Sequence, residues 1–207
     1  MPSSTALIEL HAVTKFFADG RGHEIEVVRP LSLSIAEGEL VVFVGPSGCG
    51  KTTFLRMVGG LETPTTGEIA IRGRSVTGPS REKGMVFQSY SSFPWLTVLG
   101  NIRFGLKYRR DITDAEKDRI ARHYLDLMGL APFADYYVSR ISGGMRQRVA
   151  IARTLAADPL VLLMDEPFGA LDALTRERLQ VQLLELRQAE RKTVIFVTHD
   201  VDEAVLL

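Results

Sequence analysis

Three features of the chain predict an α/β fold: a mostly parallel sheet, an antiparallel β subdomain and a helical insertion. Short continuous apolar runs (Leu40–Val44, Met85-Val86-Phe87, Val161–Met164, Thr193–Val197) have the length and composition of strands buried on both faces. Helical stretches separate them, and strands alternating with helices build parallel sheets. The N-terminal third alternates apolar and polar residues instead, as half-buried antiparallel strands do.

In chain order, Ile8–Val13, Glu24–Val28, Leu31–Ile35 and Glu68–Ile71 are the alternating strands, and Asp19-Gly20-Arg21-Gly22 is a turn or loop. Leu40–Val44 is the first core strand, and Thr53–Val58 can start a helix. In Ala115–Leu130 the apolar residues Ile120, Tyr124, Leu127 and Met128 share one helical face. A further helix is predicted from Gly144 to about Ala157. Asp172 is placed to cap a helix carrying Leu179, Leu183 and Leu186. Asp200-Val201-Asp202-Glu203 reads as another helix start with a capping-box pattern. The whole of 1–207 reads as one domain, with a helical subdomain at about 89–156.

The chain has 207 residues, 45% of them hydrophobic and 24% charged, which suits one soluble globular domain with a large core. Lys+Arg and Asp+Glu both number 25, and this balance argues against a nucleic-acid partner held by phosphate contacts. The basic cluster Arg103, Lys107, Arg109 and Arg110 is interleaved with Asp111, Asp114 and Glu116 and reads as a solvated face. No apolar stretch is long enough to span a bilayer, and Met1–Thr5 does not open a secretory signal, so a cytosolic location is expected. The single cysteine, Cys49, excludes an internal disulfide and reads as a small filler.

The densest chemistry lies at Gly45-Pro46-Ser47-Gly48-Cys49-Gly50-Lys51-Thr52, which fits G-x-x-x-x-G-K-[ST] between an apolar strand and a helix that continues through Thr53. Such a turn aims backbone N–H groups and a helix dipole at one point, and glycine lets the backbone approach a phosphate closely. Lys51 is expected to reach the β- and γ-phosphates, and the Thr52 hydroxyl to ligate Mg²⁺. The fold class therefore narrows to a P-loop NTPase. Leu160–Met164 runs into Asp165-Glu166, placing two acids at the carboxyl edge of the sheet. Asp165 is expected to hold Mg²⁺ beside Thr52, and Glu166 to act as general base on water. Ser142-Gly143-Gly144-Met145 opens a helix as a second anion-binding terminus.

With those motifs in that order, the chain resembles the ATP-binding subunits of ABC transporters over nearly all its length. Gly45–Thr52 looks like Walker A, Leu160–Glu166 like Walker B, and Ser142–Met145 like the LSGGQ segment. The resemblance makes Gln88 the Q-loop glutamine that senses Mg²⁺ and the γ-phosphate. It makes Ala170-Leu171-Asp172 the D-loop, His199 the switch histidine on the γ-phosphate, and Phe17 the aromatic that stacks on adenine. It implies ATP and Mg²⁺ as ligands and a head-to-tail dimer of this chain or with a homologue. Each ATP would lie between the Walker A of one subunit and the Ser142–Met145 start of the other.

The partners implied are transmembrane permease subunits and an extracytoplasmic solute-binding protein, with the chain peripheral at the cytoplasmic face of the membrane. Ser89–Val98, with Phe93, Pro94 and Trp95, is the candidate contact to the permease; core packing is the equal alternative for Trp95. Ile141, Met145 and Gly169 depart from the usual leucine, glutamine and serine, which removes any contact made by the glutamine side chain. Family members continue past the equivalent of Leu207, so the chain reads as shortened. Phe93–Val98, Ser142–Met145 and Asp172–Glu177 are similar to nitrate, sulfonate, taurine and bicarbonate importers, which implies a subunit powering uptake of a small anion. A soluble ABC-type ATPase outside transport is the alternative; a small-molecule kinase would need neither Ser142–Met145 nor His199.

Overall fold

Two four-stranded sheets carry the fold. The computed structural model describes residues 6–88, 91–169 and 171–207, with the backbone alone for 186–190. In chain order the elements are β1 (Ala6–Ala18), β2 (Glu24–Ala36), β3 (Leu40–Val44), α1 (Lys51–Gly59), β4 (Thr66–Ile71), β5 (Arg74–Ser75) and β6 (Lys83–Val86). There follow α2 (Val98–Phe104), α3 (Asp114–Leu127), α4 (Gly143–Ala156), β7 (Val161–Asp165), α5 (Ala173–Glu190), β8 (Thr193–Thr198) and α6 (Val201–Leu206). Met1–Thr5, Ser89, Tyr90, Ala170 and the Leu186 side chain, on which several expectations fell, lie outside the described residues.

The expected division of sheets holds. One sheet is antiparallel in the order β2-β1-β4-β5; the other runs β3-β8-β7-β6, every pair parallel. Glu24–Val28 and Leu31–Ile35 form one strand rather than two. Pro30 is tolerated within it because β2 is an edge strand.

The parallel sheet divides the core by the two-residue period of its strands. Val161, Leu163, Ile195 and Val197 face Phe54, Leu55, Met57 and Val58 of α1 and the apolar face of the antiparallel sheet. Leu162, Met164, Val194 and Phe196 face α2, α3, α4 and α5. All five residues of β7 and all six of β8 are buried, as continuous apolar strands require.

Helix boundaries differ from the sequence reading where caps intervene. The helix expected over 115–130 ends at Leu127, because Met128 caps it and Gly129 turns with φ +63°. Its buried face holds Ala121, Tyr124 and Leu125, with Ile120 and Leu127 only partly covered. The Asp200 cap forms: its carboxylate accepts from the N–H groups of Asp202 and Glu203. The reciprocal half of the box does not, since buried Glu203 accepts instead from Gln180 Nε2 at 2.9 Å, tying α6 to α5. The basic cluster is a solvated face of ion pairs, with Arg109 on Asp111 and Arg103 on Asp118 and Asp114. Trp95 is 68% exposed, so core packing does not account for it; its ring lies 5.5 Å from that of Phe93.

Candidate nucleotide-binding and catalytic site

β3 delivers the chain to Gly45, and the loop 45–50 turns it into α1. The helix begins without a side-chain cap: Gly50 occupies the N-cap position with φ +97°, and Gly48 has φ +83°. A Cβ at Gly50 would stand 2.4 Å from the Val27 carbonyl oxygen, so only glycine fits between the loop and β2. At Gly48 the same test meets nothing within 4 Å; the loop is open on that side. Lys51 Nζ donates to the Gly45 and Pro46 carbonyls at 2.6 and 2.8 Å, which pins the lysine across its own loop. Cys49 is exposed, its sulfur 3.8 Å from that ammonium.

The carboxylates enter from the neighbouring strand end. Thr52 Oγ1 donates to Asp165 Oδ1 at 3.0 Å. Burial raises the Asp165 pKa; the Thr52 hydrogen bond opposes this and the charge of Glu166 adds to it. Glu166 follows with φ +45°, a left-handed conformation that costs a non-glycine residue roughly 1–3 kcal/mol, and its N–H is held by Val197 O at 2.9 Å. The turn sends its side chain between two partners: Gln88 Nε2 donates to Glu166 Oε2 at 3.1 Å, and His199 Nδ1 lies 3.0 Å from the same oxygen.

Ser47, Gly48, Gly50, Lys51, Thr52, Thr53, Gln88, Glu166 and Val27 line one cleft of about 190 Å³. The residues suit a polyphosphate and a hard cation. The open glycine loop and uncapped helix start present N–H groups, and Lys51 supplies positive charge. Thr52, Asp165 and Gln88 are oxygen donors of the kind Mg²⁺ takes alongside phosphate and water. A small protein ligand set is usual for Mg²⁺, and the described residues hold no cluster of three or more acidic, histidine or cysteine side chains.

Other expected residues lie apart from this cleft. Ser142 caps α4, its hydroxyl accepting from Met145 N at 3.2 Å; Gly143 and Gly144 form the first turn, and Met145 packs partly against the helical core. Asp172 caps α5 by accepting from Thr175 N at 3.0 Å, a bond that holds its carboxyl below the usual range. Phe17 is 40% exposed on β1, paired with Ile25 of β2, two residues before the Val27 that touches the loop; Lys15 Nζ lies 4.8 Å from its ring centre. Its neighbour Phe16, the other aromatic that could fill this role, is less exposed, which favours Phe17.

Sequence reasoning missed Val27 and Asn101. Val27 acts through its carbonyl, which no side-chain pattern announces. Asn101 is fully buried in α2 and fastens Phe93 through both backbone groups, at 2.8 and 3.1 Å. A polar residue in a short apolar helix was the available signal.

The sequence profile of the ABC transporter family matches residues 28–169. A nitrate import ATP-binding protein of Synechocystis is 47% identical, covering 97% of this chain and 74% of its own length. A taurine import ATP-binding protein of Pseudomonas aeruginosa is 49% identical over 90% and 71%. Among solved structures, a dimeric ATP-binding cassette in a post-hydrolysis state, bound to ADP and Pi, superposes with a TM-score of 0.89 at 37% identity, covering 96% of this chain and 90% of that one.

Proposed function

Because this chain belongs to the ABC transporter family as one of its ATP-binding chains, we propose that it binds Mg-ATP in the cleft of Lys51 and Glu166 and hydrolyses it to power a membrane importer. The observation that carries the reading is the convergence on Glu166 Oε2. Gln88 and His199 hold that oxygen beside the loop of Lys51 and the Thr52–Asp165 pair.

In this reading the loop amides and Lys51 bind the phosphates, and Phe17 offers its ring to the base. Thr52, Asp165 and Gln88 hold Mg²⁺, which supplies charge neutralisation when bound. Glu166 takes the proton of the attacking water, and His199 and Gln88 orient its carboxylate. Ser142–Met145, with Asp172 nearby in sequence to Glu166, serves the nucleotide of a second copy; a helix start exposed at Ser142 that lines no part of its own cleft supports this. The chain works as a single ATPase domain with 89–156 as its helical subdomain.

Its partners are permease subunits, met through Phe93-Pro94-Trp95, and a solute-binding protein, with the chain peripheral at the cytoplasmic face. No helix among the described residues is long and apolar enough to cross a membrane. A small anion such as nitrate or a sulfonate is the cargo class that the relatives' names support. A soluble ATPase outside transport has no support among these relatives.

The test is light scattering on purified Glu166→Gln protein, with phosphate release measured on it and on the unaltered chain. Mg-ATP is expected to convert Glu166→Gln from monomer to dimer while turnover falls by about 10²- to 10⁴-fold. Normal hydrolysis by Glu166→Gln would remove the general-base assignment. A monomer with ATP demonstrably bound would remove the shared-site arrangement for this chain alone.

A further inference from the structure

Gln88 is bracketed by bonds that all come from α4. On one side, Gln147 Nε2 donates to the carbonyl of Phe87 at 3.3 Å. On the other, Arg153 Nη1 donates to Ser91 O at 2.8 Å and Nη2 to Ser91 Oγ at 2.7 Å. The Arg153 guanidinium also lies 4.8 Å from the centre of the Phe93 ring, and Ser92 Oγ donates to Arg146 O at 3.3 Å. Phe87 precedes Gln88 directly and Ser91 follows three residues later, so α4 grips the chain on both sides of the side chain that touches Glu166.

Arg153 is the costly member of that grip. It is flanked in α4 by Ile151, Ala152 and Leu155, with Thr154 as its one polar neighbour there, and burial pulls its pKa below the usual arginine value with no carboxylate among the described residues offsetting the loss. A leucine or methionine would fill the space without the desolvation of a guanidinium. The fork instead satisfies a backbone carbonyl and a hydroxyl of one residue, a geometry that lysine cannot duplicate. The same helix begins at Ser142–Met145.

We propose that Arg153 is a positioning residue that sets Gln88 against Glu166 and thereby ties the catalytic arm of one nucleotide site to the helix whose start serves the other. The inference rests on the ATPase reading above.

The test is a double-mutant cycle read by ATP turnover, nucleotide affinity and Tm. Arg153→Lys keeps the charge and loses the fork. It is expected to lower kcat about tenfold while nucleotide affinity stays within about twofold. In a Gln88→Ala background the same change is expected to cost less than about twofold, because the side chain it positions is gone. Ser91→Ala leaves Arg153 buried and removes one acceptor, so it separates positioning from folding; a loss of about threefold, again dependent on Gln88, is expected. Equal fold-losses with and without Gln88, or unaltered kcat in both Arg153→Lys and Ser91→Ala, would overturn the proposal. An unaltered chain that releases no phosphate from Mg-ATP would bring down the ATPase reading and this inference together. Turnover with additive losses would bring down this inference alone.

Discussion

The two glycine-rich helix starts, at α1 and at α4, share a sequence style and differ in construction. At α1 the N-cap is a left-handed Gly50 whose missing side chain caps nothing, and the loop around it is wedged against β2 with no room for a Cβ. At α4 the N-cap is Ser142 in extended conformation, its own hydroxyl engaging Met145 N. Every helix start carries unpaired N–H groups. The first leaves them in a cleft lined by Lys51 and Glu166; the second partly satisfies them itself. An uncapped start depends on a ligand to complete it, whereas a capped one holds its shape alone. Substitutions should therefore register in different measurements: binding for α1, stability or self-association for capped starts.

Lys51→Ala should show the largest effect of that kind. A hydrogen bond from a charged group is worth about 1.5–3 kcal/mol, which corresponds to roughly 10- to 100-fold in nucleotide affinity. The bonds of the lysine stay within its own loop, to the Gly45 and Pro46 carbonyls and the Cys49 sulfur, so Tm is expected to change little. Calorimetric titration with Mg-ATP checks the first statement and thermal unfolding the second. An unchanged affinity would mean that the α1 start does not differ from the α4 start in the way argued.

Ser142→Ala is expected to act at a smaller scale and elsewhere. Loss of an N-cap costs typically ~1 kcal/mol, near fivefold in an equilibrium constant. Nucleotide affinity of a single subunit should stay as it was, since Ser142 lines no part of its cleft, while ATP-driven self-association of the Glu166→Gln protein weakens several-fold. Weaker binding of nucleotide by the isolated subunit, with association untouched, would contradict the assignment of the two starts to different nucleotides.

These elements were legible to different degrees, and the reason is physical. Phosphate binding needs glycines, a lysine and a hydroxyl at fixed spacing on one continuous turn, so Gly45–Thr52 could be read from the chain alone, as could the acids ending β7. The buried parallel strands β7 and β8 were equally plain, because they are apolar without alternation; β3 reads the same way but lies at the sheet edge, only partly covered and with Val44 44% exposed. What could not be read were contacts between segments distant in the chain. The Val27 carbonyl against Gly50, the Glu203 side chain turned to Gln180, and the Arg153 fork on Ser91 all depend on how layers meet. Local patterns gave a plausible wrong answer at Glu203, where a capping box was complete in sequence but half made in the fold.

The α5 start gives the finest version of the comparison, because its cap is titratable. The Thr175 N–H lowers the pKa of Asp172 in the folded chain from its ordinary 3.8. A depressed carboxyl pKa stabilises the fold above the unfolded value, and that contribution disappears as pH falls through the folded value. Asp172→Asn keeps a capping acceptor and discards the charge. The difference in Tm between the unaltered chain and Asp172→Asn should therefore be small and positive near neutral pH and close to zero well below pH 3.8, and salt should reduce it because the group is exposed. Paired melting curves across that range settle the sign. A difference that grows on acidification would mean the Asp172 carboxylate is not what holds the first turn of α5, and capped starts would then lose their claim to self-sufficiency against the ligand-dependent start of α1.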